Sequence, residues 1–103
     1  MVINDLKHIL SHSMAFIKDG YTELWVIVNK IYEKNTQMSF KELTKATKTG
    51  IKELVENYNV LLLDEETQKP ISFTSDGILD KVEKRLKFLN RIPDIGGGIW
   101  FTL

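Results

Sequence analysis

A change of rhythm along the chain limits what it can fold into. From Leu6 to Tyr58 apolar residues recur three and four positions apart, the spacing of a helix face. At Val60-Leu61-Leu62-Leu63 a compact apolar run replaces that spacing, and from Ile78 to Leu89 the helical period returns. Helical blocks on both sides of a short β-like interval predict a mainly α chain with a small β-hairpin, an α+β fold. The length, 103 residues, suits a single domain over 1–103, with a core over 22–89 and a tail over 90–103. A composition that is 43% hydrophobic and 27% charged can bury a core, which a disordered chain cannot.

Local signals divide the helical part. A first helix is expected from about Asn4 to Lys18, on Leu6, Ile9, Leu10, Met14, Phe16 and Ile17. Asn4 or Asp5 would cap it and Gly20 would stop it. Thr22 is the expected cap of a second helix. Its wide apolar face (Leu24, Trp25, Ile27, Val28, Ile31, Tyr32) places it at the centre of the core, with an end near Lys34-Asn35. Ser39-Phe40-Lys41-Glu42 has the form of a capping box, predicting a short helix to about Ala46. Thr47-Lys48-Thr49-Gly50 reads as a break. Another short helix, about Gly50 to Tyr58, follows on Ile51, Leu54, Val55 and Tyr58, with Asn59 as its stop.

Val60–Leu63 and the alternating segment Pro70–Thr74 read as two strands joined by the polar turn Asp64–Lys69. Ser75-Asp76-Gly77 opens a last helix, about Asp76 to Leu89. The tail carries Gly96-Gly97-Gly98, read as a hinge, and then Ile99, Trp100, Phe101 and Leu103. That apolar end is expected to fold back, as a strand beside the hairpin or as a cover near Trp25. The alternative is a strand that binds a partner or swaps within a dimer.

Several functional classes find no support. Cysteine is absent, which removes disulfides and thiolate metal sites. No stretch approaches the roughly 20 apolar residues of a membrane span. Met1 to Lys7 lacks the basic and apolar regions of a signal peptide, so cytoplasmic residence is expected. His8 and His12 stand four apart with Asp5 one turn earlier, but His8-Ile9-Leu10-Ser11-His12 lacks the glutamate of a zinc-protease motif. They read as ordinary surface histidines. No grouping of nucleophile, base and orienter is visible, and the glycines are not followed by Lys-Ser/Thr. Neither an enzyme nor a cofactor is expected.

Two segments carry a resemblance. Met38-Ser39-Phe40-Lys41-Glu42-Leu43 resembles the x-S-x-x-E-L segment of bacterial winged-helix regulators. Ile71-Ser72-Phe73-Thr74-Ser75-Asp76-Gly77 resembles the I-x-L-T-x-x-G segment of the MarR and PadR regulator superfamily. Over about Thr22 to Leu89 the resemblance implies a winged helix-turn-helix with an extra N-terminal helix and a C-terminal helix. It implies a homodimer that binds duplex DNA and regulates transcription. The recognition helix would then be Gly50–Tyr58, with Lys45, Lys48, Thr49 and Lys52 on the DNA and Gln68 and Lys69 at the wing. Leu79, Val82, Leu86 and Leu89 would form the dimer seam.

Charge departs from that pattern. The chain has 14 basic and 14 acidic residues, and Ser39 to Tyr58 holds four lysines, three glutamates and no arginine. Asp64, Glu65 and Glu66 oppose Lys69 at the wing, where carboxylates repel phosphates. A protein-interaction module on the same scaffold, an adaptor or inhibitor engaging a partner through the tail, is therefore the alternative. The last helix is the most basic element, with Lys81, Lys84, Arg85, Lys87 and Arg91 against Asp80 and Glu83. It reads as a solvated face with i, i+4 pairs Asp80–Lys84 and Glu83–Lys87, or as a phosphate-contacting one.

Overall fold

The computed structural model describes residues 3–92 and 97–103; Pro93 and Gly96 of the expected tail lie outside that range. Helix α1 spans Leu6–Lys18 and buries Ile9, Leu10, Met14 and Ile17. It starts from Asp5 in a left-handed conformation, without the side-chain cap expected there. A two-residue strand β1, Thr22–Glu23, occupies the position read as a cap, and α2 follows at once over Leu24–Lys34. Leu24, Ile27, Val28 and Ile31 of α2 are all buried, so this helix is the centre of the core as its wide apolar face requires.

Helix α3 runs without interruption from Phe40 to Tyr58, 19 residues. The capping box is present: Glu42 N donates to Ser39 Oγ at 3.2 Å and Ser39 N donates to Glu42 Oε1 at 3.1 Å. Asn59, left-handed at φ 55°, ends the helix. The break expected at Thr47–Gly50 does not occur, and packing explains why. Thr44, Thr47 and Thr49 turn their hydroxyls back to the carbonyls of Phe40, Leu43 and Lys45, leaving the helical hydrogen bonds intact. Gly50 faces α1, and a Cβ there would lie 3.3 Å from Leu10 Cδ2. The glycine serves close helix packing and does not end the helix. The two short helices of the expected helix-turn-helix are therefore one.

Strand β2, Leu61–Asp64, does not form the predicted hairpin with Pro70–Thr74. A single bridge joins Leu63 to Pro70, and Ile71 N donates to Leu62 O at 3.0 Å. Beyond it the chain enters helix α4, Ser75–Leu89: Thr74 Oγ1 accepts from Gly77 N at 3.0 Å and caps the helix. The long pairing partner of β2 is the tail. Strand β3, Ile99–Thr102, lies between β1 and β2, antiparallel to both. Phe101 stands opposite Thr22 on one side and Leu62 on the other, and Trp100 opposite Glu23 and Leu63. With period 2, Ile99 and Phe101 enter the core while Trp100 stacks on Tyr21 at 4.8 Å on the outer face. Gly97, at φ +93°, lets the chain pass Leu24, whose Cβ would be 3.0 Å from a Cβ at 97. Among the described residues the result is four helices and a three-stranded antiparallel sheet around one hydrophobic core. Among the described residues no helix is long and apolar enough to cross a membrane.

Candidate nucleic-acid interface

The unbroken α3 changes how its charged residues are arranged. Its buried side is Leu43, Thr44, Ala46, Thr47, Gly50, Ile51 and Leu54. At about 100° per residue, Lys41, Lys45, Lys48 and Lys52, spaced four, three and four, form one stripe on the opposite side. Glu42, Thr49 and Glu53 form a parallel stripe beside it, and Glu56 follows the lysines toward the C-terminus. Across about 11 residues at 1.5 Å each, the lysine stripe is about 16 Å long. Lys45, Thr49 and Lys52, three of the expected DNA-contacting residues, are exposed on this face. Lys41 completes the row. A helix broken at Thr47–Gly50 would not align it with Lys48 and Lys52, so local spacing does not reveal it.

The connection leading into α3 matters as much as the stripe. Helices α2 and α3 are consecutive in the chain and are joined by the five residues Asn35–Ser39. Asn35 is buried in this turn. Its Nδ2 donates to Ile31 O at 2.8 Å and to Asn4 O at 3.3 Å, and its Oδ1 accepts from Asn4 N at 2.8 Å. These bonds tie the start of the chain to the turn and fix the direction in which α3 leaves it.

Helix α4 packs along α3 and edges the stripe. Lys48 Nζ lies 3.1 Å from Glu83 Oε1, both side chains about one-third exposed, and Lys87 Nζ lies 3.5 Å from Glu83 Oε2. The Lys48 hydrogen bond and charge, with Lys87 behind them, hold the Glu83 carboxyl below its usual range. Lys48 is thus held by a carboxylate in this structure. Asp80–Lys84, at 3.0 Å, is the other expected i, i+4 pair on α4.

The expected site divides here. Gln68 and Lys69 sit on the turn after β2, where Gln68 is left-handed at φ 57°. That turn borders α4 through Lys81, Lys84, Arg85 and Phe88. On the helical wheel these residues lie far round from Glu83, which meets α3. Helix α4 therefore separates Gln68 and Lys69 from Lys45, Lys48, Thr49 and Lys52. The supposed dimer seam also divides: Val82 and Leu86 are buried in the chain's own core, while Leu79 and Leu89 are half-buried. The apolar tail is likewise occupied at home, with Phe101 0% exposed.

Among the described residues no group of three or more His, Asp or Glu is placed to hold a metal ion. His8 and His12 rings are 6.1 Å apart. His12 turns toward Phe16, at 5.5 Å between centroids, and its Nδ1 is 3.4 Å from Lys30 Nζ. No protein-family model, curated protein sequence or solved structure matches this chain.

Proposed function

We propose that the chain is a small winged-helix-type DNA-binding domain, a cytoplasmic transcriptional regulator that lays α3 against duplex DNA. The observation that carries this reading is the row Lys41, Lys45, Lys48 and Lys52 on the side of α3 opposite its buried face, with α2 joined to α3 by a short turn. A row about 16 Å long on one helix face lets several lysines reach backbone phosphates together. The order α1, β1, α2, α3, β2 and a turn also supports it, with β3 in the place a second wing strand would take. In this reading Thr49, exposed beside the lysines, meets a base edge. Glu42, Glu53 and Glu56 reduce the net attraction, so binding is governed by phosphate contacts and depends steeply on salt. A homodimer, implied by the resemblance, needs a surface other than Val82 and Leu86.

The test is fluorescence anisotropy on a labelled duplex over a salt series. Lys45→Glu with Lys52→Glu weakens binding at every salt concentration. It also lowers the magnitude of the slope of log K against log salt by about two units, roughly one per lost phosphate contact. An unchanged affinity and slope contradicts the reading. A second reading, a protein-interaction module, rests on the outer face of the sheet, where Tyr21 and Leu61 stand exposed beside Trp100. It predicts no retardation of DNA even at low salt.

A further inference from the structure

On the side of α4 turned away from α3, a groove of about 630 Å³ opens toward the Asp64–Pro70 turn. That size falls among small-molecule sites, roughly 300–1,000 Å³. Its α4 wall is Lys81, Lys84, Arg85 and Phe88, the i, i+3, i+4 and i+7 positions of one helix face. Its other wall is Asp64 and Thr67, over an apolar floor that includes Ile71.

The groove is polarised in charge. Lys81 is exposed and has no ion pair among the described residues, and Lys84 beside it holds Asp80 in an open pair at 3.0 Å. Arg85 is drawn to the other end. It lines an adjoining hollow with Asp64, Glu65 and Glu66, and its guanidinium lies over Gly98. The cationic end is thus Lys81 and Lys84. At the other end Asp64 is fixed as an acceptor: its Oδ1 receives the N–H groups of Glu66 at 2.9 Å and Thr67 at 3.0 Å. These hydrogen bonds keep its carboxyl below the usual range, so it stays ionised. The ring of Phe88, one turn beyond Lys84 and Arg85 on the same wall, is 81% exposed.

We propose that this groove binds a nucleotide, with phosphate on Lys81 and Lys84, base on Phe88, and ribose hydroxyls or a base amino group donating to Asp64. A bare anion uses only the lysines and an apolar ring only the phenylalanine. A phosphorylated, hydroxyl-bearing ring satisfies all three. A free nucleotide and a nucleotide within a single strand share that chemistry. The site does not depend on the duplex reading, which concerns the opposite side of α4.

The full chain, isotopically labelled, is titrated with AMP and UMP, and in parallel with inorganic phosphate, adenosine and an eight-nucleotide oligo-rA. The expected result is saturable shifts at Thr67, Lys81, Lys84 and Phe88 with the nucleotides, and weaker binding of phosphate or adenosine alone. Phe88→Ala weakens nucleotide binding roughly fivefold to hundredfold, the loss typical of a base–aromatic stack, and Phe88→Tyr restores it. Lys81→Glu weakens it about tenfold or more. Both side chains are exposed, so the helix content by circular dichroism stays that of the parent. Tighter binding of oligo-rA than of AMP assigns the site to a strand; equal or weaker binding assigns it to the free nucleotide. Absence of saturable shifts on both walls at millimolar nucleotide overturns the proposal. So does parental affinity in either Phe88→Ala or Lys81→Glu.

Discussion

Asn35 does more for this fold than its place at a helix end suggests. A buried amide costs stability unless its donors and acceptor are met, and here two carbonyls and one N–H meet them. Asn35→Ala leaves the Asn4 N–H without its acceptor and two carbonyls without a donor. It lowers stability by about 1–3 kcal/mol, read as a shift of the urea midpoint at unchanged slope. The sequence marked Asn35 only as the end of a helix, because its partner Asn4 is 31 residues away. Ser39 and Glu42 were legible in full, because a capping box is complete within four residues. Gly50 was misread for the same reason in reverse. A glycine in a helical run signals a break locally, and only Leu10 of α1, brought close by folding, gives it another purpose.

Among the elements, α3 and α4 act together through Glu83. This carboxylate binds Lys48 and Lys87 and adds a negative charge at the edge of the lysine row. Its pKa is depressed, so the pair is intact above the ordinary glutamate value of 4.5 and is lost as pH falls through the lower folded value. Glu83→Gln releases both lysines near neutral pH. The duplex reading then predicts tighter DNA binding and a salt slope larger in magnitude by about one unit, measured by anisotropy. No change in slope separates Glu83 from the DNA-binding face. The pairs Asp80–Lys84 and Glu83–Lys87 were legible, since i, i+4 spacing alone determines them. The second hairpin strand was not. Ile71, Phe73 and their neighbours alternate as a strand does, yet Phe73 is 92% exposed and Thr74 is committed to capping α4. Ile99 and Phe101 bury more apolar surface in the same sheet, and competition between two strands for one place is not a local signal.

At the scale of the molecule, the C-terminal strand closes the structure. Phe101 joins Thr22 near the beginning of the chain to Leu62 in its middle, so the sheet forms only when distant segments meet. Phe101→Ala is expected to cost about 3–5 kcal/mol, a large share of the roughly 5–15 kcal/mol of an ordinary domain. Thermal unfolding of that variant reads the loss as a lowered midpoint; an unchanged midpoint would show that β3 adds little. That the tail returns was legible from its apolar residues; its central position between β1 and β2 was not. The same closure leaves α3 open on one long side, and that side is where the account places DNA. Titrating an isotopically labelled chain with an unlabelled duplex tests this most directly. The predicted outcome is amide shifts concentrated at Lys41, Lys45, Thr49 and Lys52 that fade as salt rises. Shifts confined to Tyr21, Leu61 and Trp100, or none at low salt, would contradict it.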